Sequence, residues 1–105
     1  MIENIRKRDG RIVPYDGDKI QQAVLKAFEA SGSAKGEETA RAIREQVEAE
    51  LENNENISST PSVEEVQDTV ERVLIEKGFV RTAKAYILYR AERSRVREMN
   101  TRLMK

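Results

Sequence analysis

A short hairpin that runs straight into a helix is the strongest constraint this chain carries. It is the stretch Ile5-Arg6-Lys7-Arg8-Asp9-Gly10-Arg11-Ile12-Val13-Pro14-Tyr15-Asp16-Gly17-Asp18-Lys19-Ile20. Asp9-Gly10 separates two runs that mix β-branched and basic residues, and Asp-Gly suits a two-residue hairpin turn because both central positions favour φ > 0. With that turn, Arg8 faces Arg11, Lys7 faces Ile12, Arg6 faces Val13 and Ile5 faces Pro14, and alternation puts Ile5, Lys7 and Ile12 on one face. Arg6, Lys7, Arg8 and Arg11 crowd the turn, and a helix with outward-pointing N–H groups is expected to begin near Asp16. Cations beside an open helix N-terminus make a phosphate site. A solvated edge strand, charged to discourage pairing with other edges, explains the same residues equally well.

Downstream, four helical segments are expected. Pro14 ends the second strand, and Asp16 can cap a helix on which Ile20, Val24, Ala27 and Phe28 recur at helical spacing until Gly32. From Gly36 to Glu52 a single stripe of Ala40, Ile43, Val47 and Leu51 faces inward, and the charges on the remaining surface read as a solvated face. Asn53-Asn54-Glu55-Asn56 predicts a loop, and Ile57 to Thr60 a possible third strand beside the hairpin. Ser62-Val63-Glu64-Glu65 is a capping-box sequence opening a third helix, with Val63, Val66, Val70, Val73 and Leu74 inward and Gly78 as its stop. The last helix is expected to start near Arg81, with Ala83, Tyr86, Ile87 and Arg90 sharing a face. Ala85, Leu88 and Tyr89 make it apolar almost all round, which predicts burial. Beyond Arg90 only Val96, Met99 and Leu103 recur, so that tail reads as a projecting helix or a frayed end.

Composition narrows the chemistry. The 105 residues, 38% hydrophobic, suffice for one small domain. Nineteen cations balance nineteen anions, so any anion site must be local, and a general basic surface for nucleic acid is not expected. With no cysteine and no histidine, disulfides, thiolate metal sites and the usual neutral-pH general base are excluded. No segment resembles a membrane span or a signal-peptide core, so a cytoplasmic location is expected.

Three separated stretches carry a resemblance: Lys7-Arg8-Asp9-Gly10 with Asp16-Gly17-Asp18-Lys19-Ile20, then Val63-Glu64-Glu65-Val66-Gln67-Asp68, then Ala83-Lys84-Ala85-Tyr86-Ile87-Leu88-Tyr89-Arg90. In this order they closely resemble the ATP-cone, the allosteric nucleotide-binding domain at the N-terminus of many ribonucleotide reductases. The tail from Arg93 to Lys105 looks like the segment joining the cone to the catalytic body in anaerobic, glycyl-radical (class III) ribonucleoside-triphosphate reductases. The resemblance implies an α+β fold, mainly helical, in which a two- or three-stranded antiparallel sheet caps a four-helix bundle. It implies a cone over residues 1–92 and a linker helix over 93–105 toward a catalytic domain, with no catalysis by the cone itself. It also implies ATP or dATP as effector with Mg²⁺, ATP activating and dATP inhibiting the reductase, and contacts between cones in a homo-oligomer.

Residue by residue, the resemblance assigns Ile5 to the nucleotide's surroundings and Lys7 and Arg8 to the family's Lys-Arg pair. Asp16 takes the polar position at the start of the first helix, and Lys19 is the lysine that reaches phosphate one turn later. Val66 and Gln67 match positions near base and sugar, with ordinary core packing an equal reading for Val66. On the last helix Lys84 and Arg90 are both candidates for phosphate, and Ala91 stands where some members carry a lysine. Two other functions compete: the cone of a transcriptional repressor of reductase genes, which follows a zinc ribbon needing four cysteines, and a helical interaction module with no ligand.

Overall fold

A computed structural model describes residues 2–103, and the side chains of residues 2–93, 95 and 96. The elements are β1 (Asn4–Arg6), β2 (Ile12–Pro14), α1 (Gly17–Ala30), α2 (Glu37–Asn53), α3 (Val63–Glu76) and α4 (Val80–Leu103). The fold is α+β, four helices and an N-terminal antiparallel pair of strands.

Local chemistry sets the helix ends. The Asp16 carboxylate accepts from the Asp18 N–H and caps α1, and Ser62 and Glu65 form both halves of the expected capping box at α3. Gly32 and Gly78 follow α1 and α3 at φ 75° and 89°, a conformation that costs glycine least. α1 and α3 each pack against both α2 and α4, so α2 and α4 occupy opposite corners of the bundle. Val24, Phe28, Ala40, Val47, Val70, Val73 and Leu74 are wholly buried, and Phe79 meets Phe28 edge to face at 5.2 Å. The buried hydroxyls are satisfied: Thr69 donates to the Glu65 carbonyl, and Thr82 pairs with Ser31 across α1 and α4.

The hairpin departs from its expected register by one residue. Asn4 faces Pro14, Ile5 faces Val13 and Arg6 faces Ile12. Lys7 N–H bonds to the Arg11 carbonyl and Gly10 N–H to the Lys7 carbonyl, leaving a three-residue loop with only Gly10 at positive φ. Asp9 explains the choice, since its carboxylate accepts from both the backbone N–H and the Nε of Arg11. Slipping by one residue exchanges faces. Ile5 and Val13 therefore share the inner face, and Ile12 pairs with Arg6 and is 55% exposed.

Two further expectations are corrected. Among the described residues the sheet has two strands, and Ile57 to Thr60 forms bends. Ser58 turns back on Thr60 through its hydroxyl, and the strand edge is met instead by Arg6 N–H bonding to the Pro61 carbonyl, with one parallel bridge from Arg6 to Ser62. The expected burial of α4 fails on one side: Ala83 and Tyr86 are buried, whereas Ile87 is 42% and Leu88 70% exposed. A helix in a corner of a four-helix bundle has neighbours on two sides only, so an apolar circumference cannot all be covered. Of the tail stripe Val96 is exposed, and the side chains of Met99 and Leu103 lie outside the described residues, as do Met104 and Lys105. α4 runs without a break across the expected 92/93 boundary.

Candidate functional site

The inner face of the hairpin, the first three turns of α1, the start of α3 and the middle of α4 enclose a cleft of about 490 Å³. Eight of the nine sequence-selected residues line it. Ile5, Lys7 and Arg8 come from the hairpin, Asp16 and Lys19 from the start of α1, Val66 and Gln67 from α3, and Arg90 from α4. The ninth, Lys84, does not line it and is exposed on the outer side of α4.

Cations line the cleft from the hairpin and from α1. Lys7 and Lys19 have no ion-pair partner among the described residues, while Arg8 is held by Glu64 at 2.8 Å. The helix end contributes less than expected. The Asp18 N–H is already taken by the Asp16 carboxylate, so an arriving anion meets a carboxylate there and must be held by side-chain cations. Asp18 itself is drawn to Arg44 at 3.1 Å.

Ile5, Val13, Ile20, Val63, Val66 and the ring of Tyr86 also line the cleft, and the Gln67 side-chain oxygen is buried there with no hydrogen-bond partner among the described residues. A buried acceptor left unmade costs about 1–3 kcal/mol, so this atom is suited to a donor supplied from outside the chain. Tyr86 is 5% exposed, and burial pushes its phenol above the ordinary range, so it stays neutral.

Arg90 closes the α3 side. Its Nη1 donates to Asp68 and to Glu71, both at 2.8 Å. Burial opposes its charge, but those two bonds outweigh burial and hold its pKa above the ordinary arginine value. Among the lining residues that the sequence reading did not select, three form a cation–aromatic group. Lys26 and Arg93 reach the cleft from α1 and α4, with Tyr89 between them: the Lys26 Nζ lies 6.0 Å and the Arg93 guanidinium 5.9 Å from its ring centre. Helical spacing held the signal, since Lys26 lies seven residues after Lys19 and Arg93 three after Arg90. Arg93 lies beyond the expected end of the domain at residue 92. Among the described residues no three His, Cys, Asp or Glu side chains gather as a metal site.

Comparison with known proteins adds kinship. A family model described as ATP cone domain matches residues 3–95. The chain is 41% identical over 105 residues to a vitamin B12-dependent ribonucleoside-diphosphate reductase of Thermoplasma acidophilum, covering 93% of this chain and 13% of that protein. It is 33% identical over 103 residues to an anaerobic ribonucleoside-triphosphate reductase of Salmonella typhimurium, covering 98% and 14%. Against the ribonucleoside-diphosphate reductase subunit alpha of Chlamydia muridarum it is 35% identical over 102 residues, covering 90% and 10%. The chain thus spans a small fraction of the length of these relatives.

Proposed function

The chain belongs to the ATP-cone family, and from that membership we propose that it is the activity-regulating effector domain of a ribonucleotide reductase, binding ATP or dATP in the hairpin cleft. The observation that carries this reading is the pairing of opposite needs in one cavity: lysines with no ion-pair partner among the described residues, and an unsatisfied acceptor among apolar side chains. A triphosphate carries close to four negative charges, and Lys7, Arg8 and Lys19 supply charge-assisted hydrogen bonds to it. The base lies against Ile5, Val66 and Tyr86, with its exocyclic amino group donating to Gln67. Arg90 is the helix-four cation of the site, and Lys84 is not. Mg²⁺ arrives on the phosphate oxygens. The cone binds without hydrolysing, ATP activates and dATP inhibits, and residues 93–105 lead toward a catalytic domain in a cytoplasmic enzyme of the anaerobic triphosphate-reducing kind. The same domain distinguishes its effectors by shifting how cones pair or how that segment docks, since a ligand moves an equilibrium only by its differential affinity for two states.

Calorimetric titration with MgATP and MgdATP tests the reading. Lys7→Ala and Lys19→Ala should each weaken binding by about 1.5–3 kcal/mol, roughly ten- to a hundredfold, with the fold intact because neither side chain is buried. Gln67→Leu should lower preference for adenine over guanine nucleotides, since guanine presents a carbonyl where adenine presents an amine. Unchanged affinity in both lysine variants would place the phosphates elsewhere, and steady ATP turnover abolished by Lys7→Ala would refute an effector role without hydrolysis.

A further inference from the structure

Lys7, Arg8, Lys19, Lys26, Arg90 and Arg93 are the cations lining the cleft, and among the described residues only Arg8 and Arg90 are held by a carboxylate. Arg90 has two such partners, Asp68 and Glu71. Arg8 has one, with its Nε 2.8 Å from Oε1 of Glu64. Glu64 does not line the cleft and makes no other ion pair among the described residues. The two side chains are 42% and 39% exposed, which puts their attraction in the weak class of solvent-screened pairs.

The partners of this pair are unequally anchored. Glu64 stands in the first turn of α3, two residues after the Ser62 cap, where the helix end itself favours a carboxylate. Arg8 stands in the three-residue hairpin loop, and the backbone around it is fixed by other groups: Lys7 N–H bonds to the Arg11 carbonyl, and Arg6 N–H to the Pro61 carbonyl. Parting Arg8 from Glu64 therefore breaks no backbone hydrogen bond and leaves the carboxylate in a place that suits it.

We infer, on the effector reading above, that Glu64 is an internal competitor of the ligand: it holds Arg8 until phosphates arrive, and the phosphates then take Arg8 from it. A triphosphate brings close to four negative charges against one carboxylate, and attraction to the guanidinium grows with that charge, so the exchange runs toward the ligand. Displacement still weakens binding. If the pair forms with equilibrium constant K, a ligand that holds Arg8 much more strongly than Glu64 does binds 1 + K times more weakly than it would without the carboxylate. For an exposed ion pair that factor is about two to six. Ligands that gain little from Arg8 are weakened less, so Glu64 lowers affinity for polyphosphates in particular.

Calorimetric titration of the wild type and Glu64→Gln with MgATP, MgADP and inorganic triphosphate provides the test. Glu64→Gln should bind MgATP and inorganic triphosphate about two- to sixfold tighter, and MgADP by no larger a factor. Helix content by circular dichroism should not change, because Glu64 is partly exposed and glutamine is a good helix former. In an Arg8→Ala background the same substitution should alter MgATP affinity by less than about twofold, since there is no longer a cation to release. An equal gain in that background would mean that the carboxylate repels phosphate through space, and would overturn the inference. Weaker binding by Glu64→Gln would overturn it too, by making Glu64 a residue that orients Arg8 for the ligand. Unchanged affinity in Glu64→Gln, beside a wild type that binds MgATP, would sink the competition and leave the effector reading standing. Tighter binding of inorganic triphosphate by Glu64→Gln, with no preference for adenine nucleotides, would do the reverse, and a wild type that binds neither triphosphate would end both.

Discussion

Two arginines, Arg44 and Arg90, each gather two carboxylates, and the difference between them separates scaffold from site. Arg44 on α2 donates through Nη1 to Asp18 and Gln21 of α1 and through Nε to Glu48, whose carboxylate also accepts the Tyr15 hydroxyl at 2.6 Å. Hairpin exit, α1 and α2 are tied in one knot, and Arg44 does not line the cleft. Arg90 spends a single nitrogen, Nη1, on both Asp68 and Glu71. Its Nε and Nη2 make no hydrogen bond among the described residues, and its side chain forms part of the cleft wall. A guanidinium fork with five donors can therefore brace two helices and still keep donors available. The lesson is that counting carboxylate partners does not distinguish the two roles; whether the side chain lines the cleft does.

Breaking the closed knot should cost the most. Glu48→Leu leaves the half-buried Tyr15 hydroxyl without its charged acceptor and removes one partner from Arg44. A lost bond to a charged group and an orphaned buried donor together should lower unfolding free energy by about 2–3 kcal/mol in urea titration. A change within about 0.5 kcal/mol would mean the knot is ornamental.

Gly17 sets how closely the knot can be drawn. A Cβ there would stand 2.6 Å from Arg44 Nε and 2.8 Å from Glu48 Oε2, so Gly17→Ala must push the Arg44 side chain off its partners. The expected net cost is about 1–2 kcal/mol, after the small gain from replacing glycine at a helix start. In an Arg44→Ala background the same substitution should become neutral or stabilising. A cost unchanged by that background would locate the clash in the backbone instead.

Much of this arrangement was legible in the chain, for identifiable reasons. Helix ends depend on contacts two to four residues long, which is why Asp16, Ser62 with Glu65, Gly32 and Gly78 could be placed before any fold was known. The hairpin register could not, because Asp-Gly suits two turn types and a side-chain contact from Asp9 to Arg11 decides between them. Nor could the exposure of Leu88, since a helix wheel shows which residues are apolar and not which sides have neighbours. Lys84 is a different kind of miss. Six residues separate it from Arg90, about 120° around a helix at 3.6 residues per turn, and only Arg90 lies on the side that meets the cleft. The same arithmetic, applied forward from Lys19 and Arg90, would have found Lys26 and Arg93.

Tyr15→Phe should cost less than either change at the knot, about 1 kcal/mol at neutral pH, because Glu48 keeps Arg44. Its diagnostic lies at high pH. Burial first, and then the bond to Glu48, push the Tyr15 phenol above its ordinary range. A pKa higher in the folded than in the unfolded chain means stability is complete below about pH 10 and is lost as pH climbs from there toward the folded value. The wild type should thus lose stability steadily above about pH 10, and Tyr15→Phe should flatten part of that slope. Tyr86, shifted in the same direction by burial, should account for what remains. Parallel alkaline slopes in wild type and variant would show that Glu48 does not hold the Tyr15 proton.

The open knot should matter most for recognition. Asp68 is largely exposed, but Arg90 and Glu71 are each only 20% exposed, so Arg90→Met, which leaves the Glu71 carboxylate without its partner, should cost about 1–2 kcal/mol of folding free energy. Its effect on MgATP binding has two possible sources that one variant cannot separate. Arg90 could donate its free nitrogens to the nucleotide, or it could act by neutralising Asp68 and Glu71, whose uncompensated charges would repel a triphosphate. Adding Asp68→Asn and Glu71→Gln to Arg90→Met distinguishes them, because neutralisation makes arginine dispensable once the carboxylates are gone. The free donors of the fork argue for direct contact: we expect Arg90→Met to lose about tenfold in affinity and the triple variant to regain less than half of that loss in free energy. Full recovery in the triple variant would reassign Arg90 to the same bracing role as Arg44 and erase the distinction between the two arginines.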